Sequence, residues 1–231
     1  MDYILSGLVQ AFELLFQGDP ETFSAVKTTV LASSLSVAAS MVIGAPLGFW
    51  LGYARFPGQR PIRVGVDTLL SLPTVVIGLL CYAFMTRRGP LGELGLLFTI
   101  PGMAAGQTIL GLPIVVAMTA TAVETLDYRL KQTLLTLGTD RRQLLLSTLW
   151  EARFALALAA AAAYGRIVSE VGISMMVGGN IKWHTRTITT AIALETGKGQ
   201  FALGIALGLI LMTIALLVNL TISGLKRVSG Q

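Results

Sequence analysis

Residues 28–54 read "TTVLASSLSVAASMVIGAPLGFWLGYA", 27 residues between Lys27 and Arg55 without one charged side chain. A hydrocarbon layer about 30 Å thick is crossed by roughly 20 residues of helix rising about 1.5 Å each. The stretch is long enough to span a bilayer. Three more uncharged runs match it: 19 residues between Asp67 and Arg87, 30 between Glu93 and Glu124, and 27 between Lys198 and Lys226. A fifth span is read from Phe154 to Val177, apolar apart from Arg166 and Glu170. Only 13% of the 231 residues are charged, against about a quarter in a soluble domain. These runs specify an all-α polytopic membrane protein of five transmembrane helices, a single domain over residues 1–231.

Small residues suggest how the spans pack. Gly44, Gly48 and Gly52 repeat at four-residue steps in the first span, and Gly204 and Gly208 do so in the last. That spacing lets helix backbones approach closely. The fifth span is alanine-rich at "ALALAAAAAYG" (155–165), a weak lipid anchor that belongs inside a bundle. Pro46, Pro73, Pro101 and Pro113 predict kinks or helix ends. Ahead of the first span, Asp2, Ser6, Gln10, Glu13 and Gln17 form a polar stripe against Ile4, Leu5, Leu8, Val9, Phe12, Leu15 and Phe16. Residues 2–17 are read as an amphipathic helix in the membrane interface, with a short sixth span as the alternative.

Basic residues orient the bundle. The side holding Arg55, Arg60, Arg63, the 124–153 loop and Lys226 carries ten Lys or Arg. The side holding Lys27, Arg87, Arg88, Lys182, Arg186 and Lys198 carries six. The positive-inside rule makes the first side cytoplasmic, with the C-terminus on it. The net charge of +5 is thus a topology signal, and no soluble basic module offers itself to nucleic acid. Cys81 and His184 are each the sole residue of their type, which leaves no disulfide framework, metal cluster or histidine-based nucleophilic set. Gly197-Lys198-Gly199 lacks the surroundings of a phosphate loop. No cofactor and no enzymatic activity are expected of the chain itself.

The longest cytoplasmic segment, "ETLDYRLKQTLLTLGTDRRQLLLSTLWEARF" (124–154), divides at Gly138, which can end one short helix in the left-handed conformation. Thr139 or Asp140 can cap a second helix running through Trp150. Two helices joined this way lie across the membrane face, with Arg141 and Arg142 beside leucines 144–146. Such a knob can dock into a groove on a cytoplasmic partner or rest on lipid headgroups.

This loop resembles the coupling region of permease subunits of binding-protein-dependent ABC importers. Gly138 fills the family's glycine position, Thr133 and Leu134 stand at its alanines, and Gln132 replaces its glutamate. "FPGQRPIRVGVDTLLSLPTVVIGLL" (56–80) and "GRIVSEVGISMMVGGNIKWHTRTITTAIALETGKGQFA" (165–202) resemble the molybdate/tungstate branch, most closely its tungstate permeases. The resemblance implies a homodimeric pore in the cytoplasmic membrane of a prokaryote. It further implies an ATP-binding cassette ATPase docked through Gly138, Thr139, Asp140, Arg141 and Arg142, and an extracytoplasmic oxyanion-binding protein. Alternatives from the residues alone are a secondary transporter or channel, or a structural subunit of a membrane complex.

Arg166 and Glu170 are four apart on one helix face. Arg166 falls about 18–20 Å into the span at about 1.5 Å per residue, where an unpaired charge costs at least ~2.5–3.5 kcal/mol. The pair is expected to face the bundle interior or a water-filled cavity, either tying helices or forming part of a gate. Glu170 argues against a tight oxyanion site at Arg166. Gly178, Gly179 and Asn180, with Arg186 beyond them, are candidates for an outer hinge or a binding-protein contact.

Overall fold

The computed structural model describes residues 2–125, 140, 143, 146–147 and 150–229. Among them the regular elements are all helical. They are α1 (Asp2–Phe16), α2 (Pro20–Tyr53), α3 (Gln59–Leu69), α4 (Thr74–Met85), α5 (Ile100–Thr125), α6 (Arg153–Val168), α7 (Gly172–Gly178), α8 (Ile188–Gly197) and α9 (Phe201–Ser229), with a 3₁₀ turn at Gly92–Leu94. Three helices, Pro20–Tyr53, Ile100–Thr125 and Phe201–Thr221, are long and apolar enough to cross a bilayer alone. Two helix pairs reach that length and apolarity only together and are sharply bent, α3 with α4 at 95° and α6 with α7 at 66°. Counting each bent pair once brings the three to five, the number expected, although α3 lies almost wholly ahead of the 68–86 run from which the second span was read.

α2 begins where Pro20 occupies the first turn and the Asp19 carboxylate accepts the Thr22 N–H at 2.8 Å. It ends at Tyr53, with Ala54 extended and the Gln59 amide donating to the Leu51 carbonyl at 2.7 Å. Its buried stripe of Ser36, Ser40, Gly44 and Gly48 packs along α5. A methyl group added at Gly48 would stand 2.6 Å from the Val116 carbonyl oxygen, and one at Gly52 2.5 Å from that of Ala120. This is the close backbone approach that the glycine spacing predicts. The spacing in the last span works differently. Gly204 abuts Thr196 of α8, but Gly208 faces open space, so that pair is not a helix-packing face within the chain.

α6 lies between α5 and α9, as an alanine-rich segment should. α1 is about 22 Å long at 1.5 Å per residue, too short to cross. It packs on the start of α9 through Gly7, where a methyl group would come 2.7 Å from Ile205 Cγ2. Both Ile4, Leu5, Val9 and Phe12 and the polar Gln10 and Glu13 stay exposed. The seam against α9 therefore runs between the two faces read from the sequence. Pro46 and Pro113 sit inside continuous helices, whereas Pro73 caps the start of α4.

Two long-range clusters define the ends of the bundle. Arg63 pairs with Glu124 at 2.7 Å. Glu21 pairs with Lys182 at 2.6 Å and also with Arg186. Each joins residues that the charge count places on one side.

Gly48→Leu should lower the apparent melting temperature in detergent by the equivalent of at least ~1–3 kcal/mol, because the clash is with backbone. Gly208→Ala should leave the melting temperature almost unchanged. Equal effects would contradict the assigned α2–α5 seam.

Candidate functional site

The segment expected as one continuous span from Phe154 to Val177 is interrupted at residues 169–171, and side chains explain why. The Glu170 carboxylate folds forward and its Oε1 accepts the Ile173 N–H at 3.1 Å. The Ser169 hydroxyl turns back to the Arg166 carbonyl at 3.0 Å. Thr189 Oγ1, at the start of α8, donates to the Glu170 carbonyl at 2.8 Å. Backbone groups released by the break are thus met by protein, the condition for non-helical chain at membrane depth.

The second break lies against the first. α4 packs on α7, and a methyl group at Gly78 would stand 3.1 Å from the Gly172 carbonyl oxygen. One at Gly172 would stand 3.2 Å from both Val75 Cα and Glu170 Oε1. Ile77, Cys81, Met85, Leu110, Ile173 and Val177 close the apolar core beneath this contact. A buried polar chain then links three elements. Ser36 Oγ of α2 lies 2.9 Å from Gln107 Oε1 of α5, and Gln107 Nε2 lies 3.1 Å from Ser174 Oγ of α7. Gly78, Gly172, Gln107, Ser174 and Thr189 are site residues that sequence reasoning missed. Gln107 and Ser36 vanish in a hydropathy average, and a glycine's role depends on what it touches.

Arg166 and Glu170 do pair, at 3.4 Å, but asymmetrically. The Glu170 side chain is 2% exposed and that of Arg166 42%. Only one member of the pair is interior to this chain, and the guanidinium reaches the surface beside the break.

At the Glu21 end, Gly178 and Gly179 are packed. A methyl group at Gly178 would meet Met103 Sδ at 2.5 Å. Gly179 takes φ +70° against the Phe98 ring and ends α7. Asn180, also left-handed at φ 51°, donates from Nδ2 to the Thr190 carbonyl at 3.4 Å. Arg186 is 13% exposed and committed to Glu21. Thr185 Oγ1 donates to the Gly178 carbonyl and accepts the Ile181 N–H at 3.2 Å. A polar cleft of about 410 Å³ opens here beside Asp19, Glu21, Lys182, Arg186 and Lys198.

Gly138, Thr139, Arg141 and Arg142 lie outside the described residues. The Asp140 N–H donates to Gln143 Oε1 at 3.1 Å, the returning arm of a capping box. Gln143, Leu146, Ser147 and Trp150 are helical. Beyond them, the Arg153 guanidinium lies over the Trp150 and Phe154 rings at 4.7 and 4.5 Å.

Residues 44–227 match the family model of the binding-protein-dependent transport system inner membrane component. The chain is 51% identical over 227 residues to the tungstate uptake system permease protein TupB of Campylobacter jejuni, covering 98% of this chain and 95% of that one. It is 34% identical to the protein of the same name from Peptoclostridium acidaminophilum, covering 98% and 100%. In fold it is similar to a chain of the inward-facing MetNI methionine ABC transporter, with TM-score 0.73 and 20% identity over 90% of this chain and 96% of that one. The chain belongs to the family of binding-protein-dependent transport system inner membrane components and is a multi-pass membrane protein.

Glu170→Ala should cost about 1–3 kcal/mol of stability by orphaning the buried Ile173 N–H, with Glu170→Gln costing less because the amide oxygen still accepts. Melting temperatures of the purified variants check the order. An alanine variant as stable as wild type would mean that the break does not depend on Glu170.

Proposed function

We propose that the chain is the permease subunit of an ATP-driven importer for an oxyanion, tungstate first and molybdate next. The observation that carries this is the 51% identity, across 98% of the chain, to a tungstate uptake permease. The architecture is in keeping with it. Two bent crossings covering each other's backbone are a device for moving between arrangements.

Two copies of the chain pair around the pathway. A guanidinium 42% exposed at membrane depth does not face hydrocarbon, and a second copy enclosing an aqueous pathway with this one gives it water to face. The Arg63 end and the C-terminus face the cytoplasm of a prokaryotic cell, following the excess of basic residues. Residues 128–150 there dock a separate ATP-binding cassette ATPase, with Gly138, Thr139, Asp140, Arg141 and Arg142 at the contact. The extracytoplasmic binding protein rests on the Glu21 end, where Gly178, Gly179, Asn180 and Arg186 make a braced platform beside the polar cleft. ATP binding draws the two coupling regions together and turns the pathway outward to receive the oxyanion. Selectivity resides mainly in the binding protein.

Purification in mild detergent from native membranes should recover a stoichiometric ATPase subunit. Proteoliposomes holding the complex should take up tungstate only with ATP and the binding protein. Gly138→Pro should reduce ATPase recovery roughly 100-fold, since proline cannot adopt the left-handed conformation expected there, while membrane insertion stays intact. Normal ATPase recovery with that variant would sink the coupling assignment, and ATP-independent uptake would sink the importer.

A further inference from the structure

We propose that Arg166 is the residue of this chain that contacts the oxyanion inside the membrane, as a weak and transient hydrogen-bond donor. This rests on the importer reading above and adds to it a substrate contact.

The guanidinium carries five N–H donors in a planar fork suited to oxyanions. A single contact engages it here, Nη1 on Glu170 Oε2 at 3.4 Å, long for a charge-assisted bond. No other hydrogen bond or ion pair holds it among the described residues. Most of its donors are therefore free, on a side chain 42% exposed.

Position tells what those donors face. Arg166 lies about 20 Å along α6 from Arg153 at 1.5 Å per residue, in the last turn before the break. A cation at this depth does not face hydrocarbon, since such residues turn to a bundle interior or a water-filled cavity. The interior of its own chain is not where it goes, so water or the second copy borders it. The other ion-paired cations among the described residues are held by their own carboxylates: Arg63 by Glu124, Lys182 and Arg186 by Glu21, Lys198 by Glu195.

Glu170 offsets this charge only in part. Its carboxylate is buried behind the guanidinium, with Oε1 spent on the Ile173 N–H and the N-terminus of α7. Approached from the exposed side, the pair presents the cation first. The carboxylate still weakens the site, which suits a pathway: an oxyanion is compensated on its way across and released. A tight site would hold it.

The test uses the complete transporter in proteoliposomes, with its ATPase and binding protein. It measures tungstate and molybdate uptake alongside ATP hydrolysis for wild type, Arg166→Lys and Arg166→Gln. Arg166→Gln should lower the number of oxyanions carried per ATP roughly tenfold or more, the loss of one charged donor. Arg166→Lys, which keeps the charge but not the fork, should fall between it and wild type. Unchanged oxyanions per ATP in Arg166→Gln, with ATP-dependent wild-type uptake, overturns the Arg166 assignment alone. So does an equal loss of uptake and hydrolysis in both variants, which marks a structural tie. Wild-type uptake that ignores ATP overturns the importer reading and the proposal with it.

Discussion

A peptide group inside a bilayer has no water to bond, so any interruption of a spanning helix must be met by protein. This chain interrupts two spans and sets the interruptions against each other. Gly78 brings α4 onto the Gly172 carbonyl, Gly172 leaves room for Glu170, and Glu170 replaces a helical acceptor for Ile173. Thr189 completes the set by bonding the Glu170 carbonyl from α8. Four elements thus depend on one short stretch, residues 169–173, and moving any of them changes what covers the others.

The surrounding bundle is the frame that permits this. α2 and α5 are held backbone to backbone by Gly48 and Gly52, with Gly44 against the Val115 and Leu112 side chains, which fixes the plane on which α7 rests through Gln107 and Ser174. Glu21 ties the loop carrying Lys182 and Arg186 to the first turn of α2. One end is thus tied and the α2–α5 seam closely packed, while the proposed transport cycle requires the bent pairs to rearrange.

Hydropathy and charge made the spans legible, because a run such as 28–54 has few other uses in a folded chain. The N-terminal amphipathic helix, the Gly44–Gly48–Gly52 face and the Arg166–Glu170 pairing were legible for the same kind of reason: each is a local spacing. Pro73 also marked the break between α3 and α4, but the break at 169–171 was not legible. Residues 169–171 remain within an apolar average, and Glu170 reads there as half of an ion pair, while its second bond goes to a backbone amide three residues on. Which glycines matter was equally hidden. Gly48 and Gly208 look alike in sequence, yet only Gly48 meets a neighbouring backbone. The asymmetry of Arg166 and Glu170 needed the tertiary arrangement, since helix spacing places both on one face without saying which is covered.

If the paired breaks border an aqueous pathway, thiol labelling with a charged, membrane-impermeant reagent will reach them. In a Cys81→Ala background, Ser169→Cys would be compared with Met212→Cys, on the exposed apolar face of α9, in membranes holding the assembled transporter. Reaction at residue 169, changing on addition of ATP, with little at residue 212, is the predicted result. Residue 169 remaining as unreactive as residue 212, with and without ATP, would mean that the break faces no water.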